Sequence, residues 1–256
     1  MLTGERKDQL LQAVEMLLEA RRGTPIDDLP AALRPSNMEE VYFIQDNMAI
    51  AFGAIGGWKV GAPNPEATPL FAPMPLIWIA EDGSTLQGPK HRFRGLEAEI
   101  AFLIGKDLPA RSTPYTREEV AAAITSCHPA IEELETAMID VKKCERLTML
   151  ADLQIHGGFI PGPSAPMWHQ IDFAKETVVL TVDGVVRVEA TGSNTAGTDM
   201  LRLVIWLANE GAARTGGLKA GDWITTGSWT GNTLATAGSS VKAHFTSAGV
   251  VALRFG

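Results

Sequence analysis

Apolar residues recur at two different periods along this chain, and the change from one to the other divides it. Leu10, Leu11, Val14, Leu17 and Leu18 stand three and four residues apart, which predicts a helix with one buried face. Arg21 and Arg22 suit its negative end, and Gly23 reads as a left-handed stop. After Pro35, Ser36 and Glu39 have capping-box spacing, and Val41, Ile44 and Met48 continue at helical period. From about Gly56 short β-prone runs broken by Gly and Pro take over, so residues 1–55 read as a small helical N-terminal region and 56–256 as a β-rich domain. Residues 63–75 are rich in proline and read as an ordered loop or lid.

Strict alternation marks the strongest strand. Leu96, Ala98, Ile100, Phe102 and Ile104 point one way, while Glu97, Glu99, Ala101 and Leu103 point the other. Thr116 and Glu119 open a short helix, and Pro129 to Leu134 follows as another strand. Val178–Val182, Asp183-Gly184 and Val185–Val188 spell a hairpin, because Asp-Gly accepts the positive φ that a two-residue turn demands. A helix is expected over 199–213, with Leu201, Val204, Ile205 and Ala208 inward and a stop at Gly216-Gly217. Two strands, 241–245 and 250–255, close the chain. The sum is an α+β fold, mostly β, of the mixed-sandwich or rolled-sheet kind.

Composition narrows the function. The 256 residues are 45% hydrophobic, enough for a proper core, and 20% charged, which argues against disorder. The net charge of −8 repels phosphate backbones, so no nucleic-acid partner is expected. Cys127 and Cys144 lie far apart without metal-knuckle spacing, which suits a reducing cytoplasm. Glu5, Lys7, Asp8, Glu15 and Glu19 break up the N-terminal apolar positions, so neither an export signal nor a membrane span is expected.

Glu97 and Glu99 are the sharpest candidates for chemistry. Two like charges on one partly buried strand face need a cation, whereas the same pattern on an exposed face is only a wet surface. Glu132, in the otherwise apolar run Pro129-Ala130-Ile131, offers a third carboxylate, although its neighbours Glu133 and Glu135 also fit a solvated edge. Oxygen donors of this kind suit Mg²⁺ or Mn²⁺. Lys59, between glycines and beside Trp58, can hold an anion or move a proton; it is equally the exposed lysine of an ordinary strand. Residues 225–231, Thr225 and Thr226 through Gly231, form a Gly-punctuated hydroxyl cluster in which Thr226, Gly227, Ser228 and Thr230 are the candidates to take a substrate carboxylate, or else a plain turn. Asp152 and His156 are further candidates for substrate contact, against a purely structural role. Neither a P-loop, a dinucleotide fingerprint nor a Ser-His-Asp order occurs.

Five segments in order resemble the hydratase and decarboxylase branch of the fumarylacetoacetate hydrolase superfamily. They are Leu18–Arg22 with Val41–Gln45, Trp58–Gly61, Leu96–Phe102, Pro129–Glu132, and Leu218–Asp222 running into Thr226–Gly231. The resemblance implies a fumarylacetoacetate hydrolase C-terminal-domain-like rolled mixed β-sheet, Mg²⁺ or Mn²⁺ on Glu97, Glu99 and Glu132, Lys59 in an acid-base role, and a homo-oligomer, dimer or higher. It implies a 2-keto-4-pentenoate hydratase-type lyase acting on small 2-oxo or 2-hydroxydienoic acids. A decarboxylase or C–C hydrolase on the same scaffold is the alternative, and a non-catalytic binder of metal and oxo acid is a third reading. The chain departs from the hydratases at Pro63–Pro69, which supplies no aspartate, and at Leu153, where an asparagine is expected.

Overall fold

In chain order the computed structural model, which describes residues 2–165 and 167–256, runs α1 (Gly4–Arg22), α2 (Met38–Phe52), β1 (Ile55–Gly61), β2 (Leu70–Pro75), β3 (Thr85–Leu86), β4 (Gly95–Ile104) and β5 (Leu108–Pro109). Next come α3 (Arg117–Ala123), β6 (Ile124–Leu134), α4 (Arg146–Ala151), β7 (His156–Pro161), β8 (Thr177–Val182) and β9 (Val185–Thr191). The chain ends with α5 (Met200–Asn209), α6 (Ala212–Thr215), β10 (Gly217–Leu218), β11 (Trp223–Ser228), β12 (Thr233–Leu234), β13 (Ser240–Phe245) and β14 (Gly249–Phe255). A seven-stranded mixed sheet takes the order β2-β1-β11-β4-β6-β7, with β12 beside β4. Only the β1–β11 pairing within it is parallel. A five-stranded sheet, β3-β14-β13-β8-β9, packs against it.

The alternation along β4 decides which face meets which neighbour. Leu96, Ala98, Ile100 and Phe102 enter the main core with Val178, Leu180, Phe245 and Val251, all essentially inaccessible. Burying each large apolar side chain contributes about 1.5–3 kcal/mol. Glu97, Glu99 and Ala101 are left on the opposite face. Helices α1 and α2 build a second core, and they do so with Ala137, Met138, Leu150, Ala151 and Leu153 from the middle of the chain.

Most predicted elements are present, with differences in detail. Gly23 ends α1 at φ −130°, not in the left-handed region, and its N–H donates to Glu19 O. Leu11 is 40% exposed, because the stripe that packs against α2 is Leu10, Val14, Leu17 and Leu18. The cap of α2 is shifted one residue from Ser36/Glu39: Asn37 accepts from the Glu40 amide, while the Glu40 carboxylate accepts from the Ser36 amide. Glu40 wins over Glu39 because it is also paired with Arg6 at 2.7 Å. The Thr116/Glu119 capping box forms as expected. Within 63–75, residues 70–75 are not loop but strand β2, paired with β1; its prolines fit because β2 is an edge strand. The long helix over 199–213 is interrupted: α5 stops at Asn209, where an added Cβ on Gly211 would lie 2.6 Å from Leu207 O. Its inward face is Met200, Leu203, Val204, Leu207 and Ala208, with Leu201 and Ile205 half-buried.

Candidate active site

Strand register alone gathers the acidic cluster. Glu97 on β4 lies opposite Glu132 on β6, and Glu99 lies two residues on, on the same face. Across β4's other edge Ser228 pairs with Glu99, and beyond it Lys59 on β1 pairs with Thr225 on β11. Side chains paired across strands share a face, so Lys59, Thr225, Glu99, Glu97 and Glu132 converge. One carboxylate oxygen from each of Glu97, Glu99 and Glu132 lies within 4.8 Å of the others. This face is not a wet surface at Glu99, 2% exposed, or at Glu132, 0%; Glu97 is half-buried.

Electrostatics follow from this crowding. Lys59 Nζ donates to Glu132 Oε1 at 2.5 Å and to Gln154 O at 3.2 Å. Burial opposes the ammonium, but Glu132, Glu97 and Glu99 outweigh it and hold Lys59 above its ordinary value. Burial would also raise Glu132, yet Lys59 and His156 overcome it and keep this carboxylate below the usual range. Glu97 is raised by burial and by Glu132, against Lys59 and the nearby Ser228 hydroxyl. Glu99 goes well up, through burial first and then Glu132 and Glu97, although the Thr225 hydroxyl donates to it. One lysine therefore does not compensate three acids. Among the described residues Glu132 Oε2 is buried without a hydrogen-bond partner, so one acceptor of the cluster is left unmet.

A cavity of about 300 Å³ opens over this face, lined by Lys59, Glu97, Glu99, Gln154, Gly227 and Ser228, with Pro63 and Leu70 also in its wall. A larger surface cavity of about 510 Å³ lies beside the exposed Arg117–Asp199 pair and Trp168. Among the described residues it brings together no carboxylate cluster, so chemistry and not volume singles out the smaller one.

The remaining candidates are distributed around this centre. Gly227 and Ser228 line the cavity. Thr226 faces the main core, donating to Ile100 O, because the strand's period of two lets only Thr225 point at Glu99. The Thr230 hydroxyl accepts from the Ala98 amide and donates to Gly231 O, steadying the loop behind the site. Asp152 is fully buried and committed to Arg21 at 2.5 Å, to the Thr136 hydroxyl and to the Ala137 amide, so it does not reach the cavity. His156 is also fully buried, with Nδ1 2.8 Å from Glu132 Oε1. Burial lowers its pKa, although Glu132 opposes this. The sequence offered Thr225 and Thr226 together in one hydroxyl cluster without telling them apart, and it passed over Gln154. The distinction needed the register; Gln154 sits in a left-handed turn for which Leu-Gln-Ile gives no signal.

A mixed, mostly β sheet carrying three convergent carboxylates and a half-buried lysine on one face defines the class: a rolled-sheet protein with a cluster of oxygen donors in a cavity. The chain belongs to the fumarylacetoacetate hydrolase family, whose description "Fumarylacetoacetate (FAA) hydrolase C-terminal" matches residues 44–255. It is 27% identical to a 4-oxalocrotonate decarboxylase of Pseudomonas sp over 65% of this chain, spanning 62% of that protein. It is 24% identical to the 2-keto-4-pentenoate hydratase of Paraburkholderia xenovorans (strain LB400), over 99% of this chain and 96% of that one. The fold superimposes on 4-oxalocrotonate decarboxylase from Pseudomonas putida G7, complexed with magnesium and adipate, at a TM-score of 0.83 and 23% identity, covering 100% of this chain and 99% of that one. The family and these names indicate an enzyme. Among the described residues, no helix is long and apolar enough to cross a membrane.

Proposed function

We propose that the protein is a divalent-metal-dependent lyase acting on small 2-oxo or 2-hydroxydienoic acids, through a reaction of the 2-keto-4-pentenoate hydratase type. The observation that carries this reading is the set of three carboxylates within 4.8 Å beside a half-buried lysine. Their oxygen donors, their surplus of negative charge and the free Oε2 of Glu132 fit Mg²⁺ or Mn²⁺. Glu97, Glu99 and Glu132 would hold it. When bound, such an ion acts as a Lewis acid that stabilises enolate charge at the 2-position.

The chain's own groups do the rest. Lys59 Nζ, fixed by Glu132 and the Gln154 carbonyl, holds or delivers a proton at the edge of the cavity. Ser228 and the Gly227 backbone, both in the cavity wall, would orient a carboxylate. The walls formed by Val60, Ala62 and Leu70 shield a short tail from water. Decarboxylation of a 2-oxo acid is the second reading. It is favoured by the segment 63–69, whose one acid, Glu66, is exposed and whose sequence lacks the aspartate that the hydratases carry there. A homo-oligomer belongs to the same reading; exposed Leu76 and Ile77, adjoining Ile55 at the sheet's β2 edge, support it.

The test is turnover of 2-hydroxypenta-2,4-dienoate and of an oxalocrotonate-like acid, with CO₂ release followed separately. Glu97→Gln and Glu99→Gln should each stay folded and lose at least about 100-fold in kcat with Mg²⁺ or Mn²⁺. Full activity of the wild type in a chelator sinks the metal reading. Tight oxalate binding without product from either acid points to a non-catalytic binder.

A further inference from the structure

We infer that His156 is a positioning residue, which pins one oxygen of Glu132 so that the other is presented to the cation; this inference rests on the metal reading above. The same Glu132 Oε1 that accepts from Lys59 at 2.5 Å accepts from His156 Nδ1 at 2.8 Å. Two donors on one oxygen fix the rotation of the carboxylate and leave Oε2, buried and unpartnered, as its binding face. His156 is fully buried and is not part of the cavity wall, so it acts through Glu132 and not on a substrate. Its Nε2 is buried without a partner, so contact with Glu132 is the polar task of this ring.

Three backbone features aim the ring. Leu153, Gln154 and Ile155 take φ of 52°, 52° and 55°, a left-handed turn of non-glycine residues. Such a conformation costs roughly 1–2 kcal/mol per residue. The register between β6 and β7 then slips: Glu133 faces Gly158, but Leu134 faces His156, leaving Gly157 as a bulge. Without that extra residue Gly157 would stand opposite Leu134, and His156 would point to the far face. With it, His156 shares the face of Leu134 and therefore of Glu132, two residues earlier. Finally, only glycine fits the bulge, since a Cβ at 157 would lie 2.4 Å from Glu135 Cβ. Arg21 fastens the result by donating to the His156 carbonyl at 2.8 Å. A strained turn, a bulge and an obligatory glycine converging on one imidazole are the local cost that functional geometry explains.

The experiment compares Mn²⁺ affinity by calorimetry with melting temperature in EDTA for three proteins. His156→Asn keeps an N–H donor where Nδ1 stands, and His156→Leu removes it. His156→Leu should bind Mn²⁺ about 10–100-fold more weakly than wild type, while His156→Asn should return to within about threefold. Melting in EDTA should not follow this order. Should His156→Leu fail to fold, His156→Gln, whose amide stands at the Nε2 position, replaces it with the same expectation. Wild-type affinity in the variant without the donor, or equal weakening in His156→Asn, overturns the role of His156 alone. A wild-type protein that binds no Mn²⁺ overturns the metal reading, and this inference with it.

Discussion

Glu99 is buried next to Glu97 and Glu132, and the Thr225 hydroxyl donates to it. Burial and its two acidic neighbours make its ionised form costly. A glutamine there keeps an acceptor for Thr225 and removes one repelling charge, so Glu99→Gln is predicted to stabilise the metal-free protein by about 1–2 kcal/mol, or several degrees in melting temperature. Calorimetry in EDTA checks this, and a lower melting point would mean that the cluster is already neutral. Lys59 has the opposite sign. Its removal in Lys59→Met strands the buried Glu132 charge, and a loss of about 3–5 kcal/mol in urea unfolding is expected. At this scale the sequence already showed Glu97, Glu99 and Lys59, since alternation and flanking glycines are local signals. It did not show that Thr225 and not Thr226 faces the acids, nor that Asp152 is committed to Arg21. Those facts depend on strand register and on partners over a hundred residues away.

Elements carry the site only where their backbones approach closely enough. Gly57 on β1 pairs with Trp223 on β11, and a Cβ at 57 would fall 2.1 Å from the Trp223 carbonyl oxygen. Since the same pairing sets Lys59 opposite Thr225, Gly57→Ala is expected to push the strands apart. It should cost at least about 2 kcal/mol and reduce turnover together with stability, whereas Gly83→Ala, in a turn at φ 80°, should reduce stability alone. The cap of α2 makes a separate, pH-dependent contribution. Arg6 and Ser36 hold the Glu40 carboxyl at about 2, against burial. A depressed carboxylate stabilises the fold above its unfolded pKa, and this gain is lost as pH falls through about 2. Allowing for the partial exposure of Arg6, Glu40→Gln should cost about 1–2 kcal/mol at pH 7 and progressively less on acidification toward pH 3. Urea titrations at both pH values measure the difference, and an unchanged gap between them would contradict it. The capping residue was misplaced by one position in the sequence because Ser36/Glu39 and Asn37/Glu40 both satisfy the local rule. The long-range Arg6 contact decides between them.

For the molecule as a whole, the helical N-terminal region and the sheets are tied together where the site is built. Arg21, 6% exposed near the end of α1, reaches Asp152 and the carbonyls of Glu135 and His156, next to the turn that presents Gln154 to Lys59. The helical core closes on residues 137–153, so the division at residue 55, legible as a change of period, is not a division of packing. Sequence pattern reports which face is apolar, but not what covers it. This arrangement makes the charge balance at the site a property of global stability. A protein that folds with two buried carboxylates, a third half-buried and one lysine retains an unmet electrostatic demand, and a divalent ion that meets it binds the folded state alone, because the unfolded chain scatters the ligands over 36 residues, 97 to 132. Saturation at about 100 times the dissociation constant should therefore add about 2.7 kcal/mol. For a chain of this size that corresponds to a rise of about 5–10 °C in melting temperature. Ionic strength alone also relieves like-charge repulsion, though weakly for buried groups, so the comparison is between MgCl₂ or MnCl₂ and NaCl at equal ionic strength. A rise with the divalent salts that disappears in Glu132→Gln assigns the stabilisation to the cluster. Equal rises with NaCl would reduce it to screening, and the three acids would then be a cost without a ligand to explain it.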